Sequence, residues 1–233
     1  MKRDAAGEEK PRPSALKLYY FNITGKGEAI RLFSAYAGLD LEDYRFASFE
    51  EFAALKADGT LPYGQVPLLE VDGKHKLAQS AAILRYLAQI AGGEIYPSDP
   101  LLAAKVDAAL DYEVDVFCGP TVASYTTRFG IEMDDQQKER AAALLSSEVM
   151  PRHLRTVESQ LKESATGWIA GTEKPSPADF VWAVRLGDYL PGRDRLFTAE
   201  LRSLKDFPAC QAYVKKFYEL PEVVKYYSGK KTD

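Results

Sequence analysis

Cysteine is scarce in this chain: two in 233 residues, Cys118 and Cys210, far apart in sequence. That excludes a disulfide framework and a thiolate metal cluster, and it suits a reducing compartment. No cysteine stands between Met1 and Arg85, so the first third of the chain has no thiol with which to run disulfide exchange. Histidine is as sparse, and His75 and His153 form neither a metal site nor a catalytic triad with any identifiable neighbour. No charge of one sign dominates. The 30 basic and 34 acidic residues leave a formal net charge of −4, without the electrostatic footprint that nucleic acid or anionic lipid requires. No run approaches the ~20 uninterrupted apolar residues of a membrane span. Met1 to Pro13 is charged, carries Pro11 and Pro13 and has no apolar h-region behind it, so residues 1–14 are expected to be a disordered lead-in rather than a leader peptide. With 46% hydrophobic residues there is ample material for a core, and the expectation is a globular, cytoplasmic protein.

What the chain does contain divides near residue 93. Leu16 to Asn22 is a strand-like aliphatic and aromatic run, and Lys26 to Ala37 switches to helical spacing, closed by Gly38. Asp43 to Phe46 predicts a second strand, and Phe49, Phe52 and Leu55 give one face of a short helix ending near Asp58-Gly59. Pro67 to Val71 and Lys74 to Leu77 flank Asp72-Gly73, a favoured two-residue hairpin turn, before a helix from Ser80 to Ala91. The order β-α-β-α-β-β-α over residues 15–92 predicts a small mixed sheet of four strands, an α/β arrangement of thioredoxin-like type. After Gly92-Gly93 and Pro97-Ser98-Asp99-Pro100, helical periodicity takes over, and residues 98–233 read as an all-α domain. Helices are expected after Asp99, from Asp134 to about Lys162, Ser176 to Tyr189, Phe207 to Glu219 and Pro221 to Tyr227. Ser176-Pro177-Ala178-Asp179 reads as a capping box.

The feature richest in chemistry is Gly64-Gln65-Val66-Pro67-Leu68-Leu69-Glu70, followed by Gln79-Ser80 at a helix start. A strand that opens with Val-Pro lacks an amide donor there, and X-Pro bonds adopt cis at little cost. A cis bond would turn the N–H and C=O of Val66 outward, where an extended peptide-like ligand could pair with them, while Ser80 offers helix-start amides to a carboxylate.

The stretches Tyr20-Phe21-Asn22, Gly25-Lys26-Gly27-Glu28, Ile30-Arg31, Leu61-Pro62-Tyr63-Gly64, Leu69-Glu70-Val71-Asp72-Gly73 and Gln79-Ser80, with the all-α half carrying Ser-x-x-Asp, resemble the cytosolic glutathione S-transferases, and the sigma class among them. The resemblance spans nearly all of Leu16 to Tyr227. It implies a homodimeric detoxifying transferase that uses glutathione as co-substrate, needs no further cofactor, and joins its thiol to a hydrophobic electrophile held against the helical domain. Strand alternation sends Tyr19 and Tyr20 to opposite faces, and periodicity alone does not choose between them. The resemblance chooses Tyr20 as the hydroxyl that stabilises the glutathione thiolate. It further implies that Val66 pairs with the cysteinyl backbone, Gln79 and Ser80 hold the γ-glutamyl carboxylate, and Lys56 reaches the glycyl carboxylate. Three positions depart from the sigma pattern. Phe52 stands where tryptophan is usual, Lys26 where arginine is, and Gln65 where lysine is, so a weakened affinity for glutathione is expected.

Asp107, Asp111 and Asp115 fall at i, i+4 and i+8 and form an acidic stripe, which reads most simply as a solvated helix face. The resemblance singles out Asp115 as the residue that crosses a dimer interface toward the γ-glutamyl ammonium of the partner's glutathione. Two other functions fit the same scaffold: a non-catalytic carrier of hydrophobic ligands, and a glutathione-dependent prostaglandin D isomerase. Retention of Tyr20 favours an enzyme over the carrier. The region after Phe117, Cys118-Gly119-Pro120-Thr121-Val122, offers no tryptophan to stack on a long lipid, which counts against the isomerase.

Overall fold

The computed structural model describes residues 13–92, 95–191 and 196–229. Residues 1–12 of the expected lead-in, and Gly93 of the expected boundary, lie outside the described residues. The chain separates into two compact units, one drawn from Met1–Ser98 with Leu220–Asp233 and the other from Asp99–Glu219. Among the described residues no helix is long and apolar enough to cross a membrane.

The first unit has the expected order: β1 (Leu16–Phe21), α1 (Glu28–Tyr36), β2 (Glu42–Phe46), α2 (Phe49–Ala57), β3 (Leu68–Val71), β4 (His75–Ala78) and α3 (Ser80–Ala91). The sheet runs β2-β1-β3-β4, parallel between β1 and β2 and antiparallel elsewhere. β1 forms because its side chains alternate: Leu16, Leu18 and Tyr20 are buried, and Lys17, Tyr19 and Phe21 are half-buried on the other face. α1 starts at Glu28, two residues later than its spacing suggests, and stops where Gly38 turns left-handed. Leu39 N–H then bonds Ser34 C=O at 2.9 Å and Gly38 N–H bonds Ala35 C=O at 3.3 Å, a Schellman closure. The hairpin turn centres on Asp72 and Gly73, both left-handed, and Lys74 N–H closes onto Val71 C=O at 3.1 Å. Pairing resumes one residue later than expected, with His75 rather than Lys74 opposite Val71. Asp72 Oδ1 also accepts from Ser14 N (2.6 Å), Ser14 Oγ (2.8 Å) and Ala15 N (3.0 Å), which ties the segment before β1 to the hairpin tip.

The second unit is helical: α4 (Pro100–Ser124), a 3-10 turn (Thr126–Phe129), α5 (Asp135–Leu144), α6 (Met150–Glu163), α7 (Pro177–Val184), α8 (Ala199–Ser203) and α9 (Pro208–Tyr218). The expected helix from Asp134 to Lys162 is present but passes through a π-type turn at Leu145–Val149, and that from Ser176 to Tyr189 ends in another at Arg185–Tyr189. In the second of these, Arg185 is buried, ion-paired to Glu113 of α4, and lies 3.9 Å from the Tyr189 ring centroid. The short α8 was not visible as periodicity. Its local signal is Thr198, whose hydroxyl caps Leu201 N–H at 3.3 Å. A last helix, α10 (Pro221–Ser228), expected within the all-α stretch, packs on α1 and groups by its contacts with the first unit.

Asp179 is the pivot of the second unit. Fully buried, it accepts from Ser176 N (2.7 Å), Ser176 Oγ (2.8 Å), Ile169 N (2.9 Å) and Tyr213 Oη (3.1 Å). Burial pushes its carboxyl up and these donors pull it back. Asp179→Ala strands several buried donors at once and is expected to cost about 2–4 kcal/mol. The check is urea unfolding, and a midpoint equal to the parent's would show that the capping box bears little of the fold.

Candidate functional site

Register alone gathers the motifs at one end of the sheet. β1 and β3 pair Tyr19 with Leu68, so one step further sets Tyr20 opposite Pro67; β3 and β4 pair Leu68 with Ala78, so one step further sets Pro67 opposite Gln79. β2 runs parallel to β1 and ends at Phe46 beside Phe21, delivering α2 to the same end. Tyr20, Val66, Gln79, Ser80 and the residues of α2 are therefore neighbours by topology.

Tyr20 is 7% exposed, and its hydroxyl oxygen accepts the backbone N–H of Lys26 at 2.9 Å. An oxygen that already accepts a hydrogen bond donates its own proton more strongly. The loop carrying Lys26 lies directly on the tyrosine ring. A Cβ added at Gly25 would stand 2.5 Å from Tyr20 Oη, and one added at Gly27 would stand 2.4 Å from Tyr20 Cδ1, so both positions demand glycine. Tyr19 sits on the opposite face, 5.1 Å from the Tyr44 ring and 5.2 Å from Lys17 Nζ. Burial, then the Glu70 carboxylate, push its phenol up.

Beneath this loop is a residue to which the sequence reading gave no role. Arg31 of α1 is 3% exposed. Its guanidinium donates to the carbonyls of Ile23 (2.9 Å) and Phe21 (3.1 Å), pairs with Asp43 (2.8 Å) and Glu28 (3.2 Å), and stands 5.6 Å from the Tyr20 ring centroid. Burial opposes its charge, but the bonds to Asp43 and Glu28 win, and its pKa is raised. The signal was present as two opposite charges at i, i+3 among the apolar positions of a helix, a placement that needs internal partners.

The other expected site residues fall as follows. The Val66–Pro67 bond is cis. Val66 precedes the paired part of β3, half-buried, with Gln65 exposed beside it. Lys26 is exposed, its backbone engaged with Tyr20. Lys56 is exposed on α2 and runs past Gly64, whose added Cβ would meet Lys56 Cε at 3.2 Å, so its stem reaches the Gly64–Val66 loop. Phe52 packs 5.2 Å from Phe21 and 6.0 Å from Phe46, an apolar wall where an indole would supply a donor. Gln79 is the N-cap residue of α3 with φ 75°, and Ser80 opens the helix; no side-chain cap meets its first turn among the described residues. Helix-start amides of this kind suit a carboxylate. Asp115 belongs to the second unit, exposed on α4. His153, near it, shares a 3.0 Å hydrogen bond with Tyr112, and His75 is exposed on β4.

The sequence matches the family model for the glutathione S-transferase N-terminal domain over residues 16–89 and that for the C-terminal domain over residues 123–230. A glutathione S-transferase of Anopheles gambiae is 35% identical over 215 residues, 92% of this chain and 96% of its own length. Glutathione S-transferase A4 of Mus musculus is 31% identical over 213 residues, 90% of this chain and 86% of its own. Among solved structures, prostaglandin synthase D of Nilaparvata lugens matches with a TM-score of 0.78 at 27% identity, covering 94% of this chain and all of its own. On these matches and on the two-domain fold, the chain belongs to the glutathione S-transferase family.

Proposed function

We propose that this glutathione transferase uses Tyr20 to hold the glutathione thiolate while the sulfur attacks a small hydrophobic electrophile. The observation that carries the reading is the Tyr20 hydroxyl, polarised by Lys26 N–H at the sheet end that also carries Val66 and Ser80. A thiol of ordinary pKa, about 8.5, is mostly protonated at neutral pH, and only its anion is a competent nucleophile. A phenol that donates to sulfur lowers that pKa, and each unit represents about 1.4 kcal/mol of preference for the thiolate. Val66 offers its backbone to the cysteinyl segment, the start of α3 with Gln79 and Ser80 takes the γ-glutamyl carboxylate, and Lys56 takes the glycyl carboxylate. The substrate's charges are then met by a helix terminus and one cation.

We further infer a sigma-like, cytoplasmic homodimer acting in detoxification, in which Asp115 reaches the partner's glutathione ammonium. The motifs Tyr20-Phe21-Asn22 and Gly25-Lys26-Gly27-Glu28 support the class, and the exposure of Asp115 on α4 is compatible with its role. With Phe52, Lys26 and Gln65 at their positions, the affinity for glutathione is set lower than is typical. Glutathione-dependent prostaglandin isomerisation is the second reading, favoured by the likeness to the Nilaparvata lugens synthase. Rates with chlorodinitrobenzene, isothiocyanates, cumene hydroperoxide and prostaglandin H2 separate the two, and silence on all four points to a carrier.

Tyr20→Phe is expected to lower conjugation about 10- to 100-fold while glutathione affinity changes little. Initial rates and calorimetry measure the two quantities; activity that survives in Tyr20→Phe and falls in Tyr19→Phe reverses the assignment. Ser80→Ala, which removes a hydroxyl donor to the carboxylate, is expected to weaken glutathione about tenfold with a smaller effect on the saturated rate. A fall in kcat at unchanged affinity would instead place Ser80 at the sulfur.

A further inference from the structure

We propose that Asp43, on the edge strand β2, is a positioning residue for the thiolate-stabilising tyrosine: its carboxylate holds two arginines that together grip the three residues following Tyr20. The inference rests on the reading of Tyr20 as the thiolate donor.

Strand register sets the arrangement. β2 lies at the edge of the sheet and pairs Asp43 with Leu18 and Arg45 with Tyr20, so both charged residues stand on the face that carries Tyr20. Asp43 divides its two oxygens: Oδ1 accepts Arg31 Nε–H at 2.8 Å and Oδ2 accepts Arg45 Nε–H at 2.8 Å. Each guanidinium, anchored through Nε, directs its outer nitrogens at the chain leaving β1. Arg31 Nη2 donates to Phe21 C=O at 3.1 Å, Arg45 Nη1 to the side-chain carbonyl of Asn22, and Arg31 Nη1 to Ile23 C=O at 2.9 Å. The segment so held leads directly into Gly25-Lys26-Gly27, whose Lys26 N–H meets the Tyr20 hydroxyl at 2.9 Å. Asn22, the exposed third residue of Tyr20-Phe21-Asn22, thereby acquires a role: its amide is the handle by which β2 holds the turn.

The carboxylate is the joint of this clamp. The Arg45 side chain is 32% exposed, and an arginine so exposed keeps one direction only when its fork is pinned at more than one point. Without Asp43 it swings into solvent and releases Asn22. The Arg31 side chain is 2% exposed, and its Nε then becomes a buried donor without an acceptor. Its other carboxylate, Glu28, stands at 3.2 Å from Nη1, and the guanidinium turns toward it at the expense of Phe21 and Ile23. A loosened turn holds Lys26 N–H less firmly on the Tyr20 oxygen. That oxygen is then less polarised and donates less well to sulfur, so the thiol of bound glutathione titrates at higher pH.

The test is Asp43→Asn, which keeps the shape but turns one of the two acceptors into a donor facing an arginine. The thiolate absorbance of glutathione bound to the full-length protein is titrated between pH 5 and 9, and kcat/KM is followed over the same range. The thiol pKa is expected to rise by about half a unit to one unit, with activity falling about three- to tenfold at pH 6.5 and recovering to within about twofold at pH 9. The sign is decisive. Loss of a negative charge acting only through space would favour the thiolate and lower that pKa, so a fall overturns the inference. Lys17→Met, which removes the 2.8 Å ion pair to Glu42 between the same two strands, is expected to leave both profiles unmoved. If Asp43→Asn loses melting temperature but keeps the parent's titration, Asp43 only ties strands together and the inference fails. Should that variant not fold, Asn22→Ala is read by the same titration, and an unmoved thiol pKa overturns the inference equally. Tyr20→Phe separates this from the reading beneath it: no shift there removes Tyr20 itself, whereas a shift there with none in Asp43→Asn removes only the clamp.

Discussion

The buried guanidinium of Arg31 is the constraint on which the first unit's sheet end depends. A cation 3% exposed would be untenable without compensation, and it receives two carboxylates and two peptide carbonyls. Each partner comes from a different place: Glu28 from its own helix, Asp43 from β2, Phe21 from the end of β1, Ile23 from the loop beyond. Satisfying one charge thus fixes the helix, two adjacent strands and a loop in one geometry. That loop brings Lys26 N–H to the Tyr20 hydroxyl, so the setting of this side chain depends on the ion-pair network as well as on its own strand.

Glycine completes what the arginine begins. Gly25 and Gly27 let the loop approach the tyrosine ring more closely than any side chain would permit. The ring is closely approached by this backbone, and the Arg31 guanidinium stands 5.6 Å from its centroid. Much of the proposed recognition surface is likewise main chain: Lys26 N–H, the peptide at Val66, the amides opening α3. Backbone groups are placed by the fold, so a site made from them tolerates the unusual Phe52 and Gln65 without losing its shape. On the proposed reading, the side chains at those positions bear on how tightly glutathione is held more than on where it lies.

The sheet order and the site motifs were legible because they depend on local rules. Alternation in Leu16 to Phe21, the Asp72-Gly73 turn and the helix start at Ser80 each announce themselves within a few residues. What was not legible depends on distant partners. Nothing near Pro221 says that α10 belongs with α1, because an amphipathic helix records that it has an apolar face and not what covers it. The π-type turn at Arg185 follows the same logic, since its buried cation answers to Glu113, seventy-two residues earlier. Arg31 fell between the two cases: its burial was inferable from the helix pattern, but its grip on Phe21 and Ile23 required the fold.

A phenol in place of a cysteine also decides which chemistry the scaffold avoids. A cysteine at this strand end could exchange with a disulfide such as oxidised glutathione, its thiolate attacking one sulfur to give a mixed disulfide and releasing the other half as thiolate. A hydroxyl cannot take part in such exchange, and in the proposed role Tyr20 would only donate a hydrogen bond to the substrate's sulfur. The chain's own thiols are consistent with that division of labour. Cys210 is buried, with the Glu158 carboxylate alongside, and both raise its pKa far beyond the range in which a thiolate forms. Cys118, exposed on α4, lies in the other unit from Tyr20. On the proposed reading the nucleophile is the glutathione sulfur, and Tyr20's part is to hold one polarised oxygen in place.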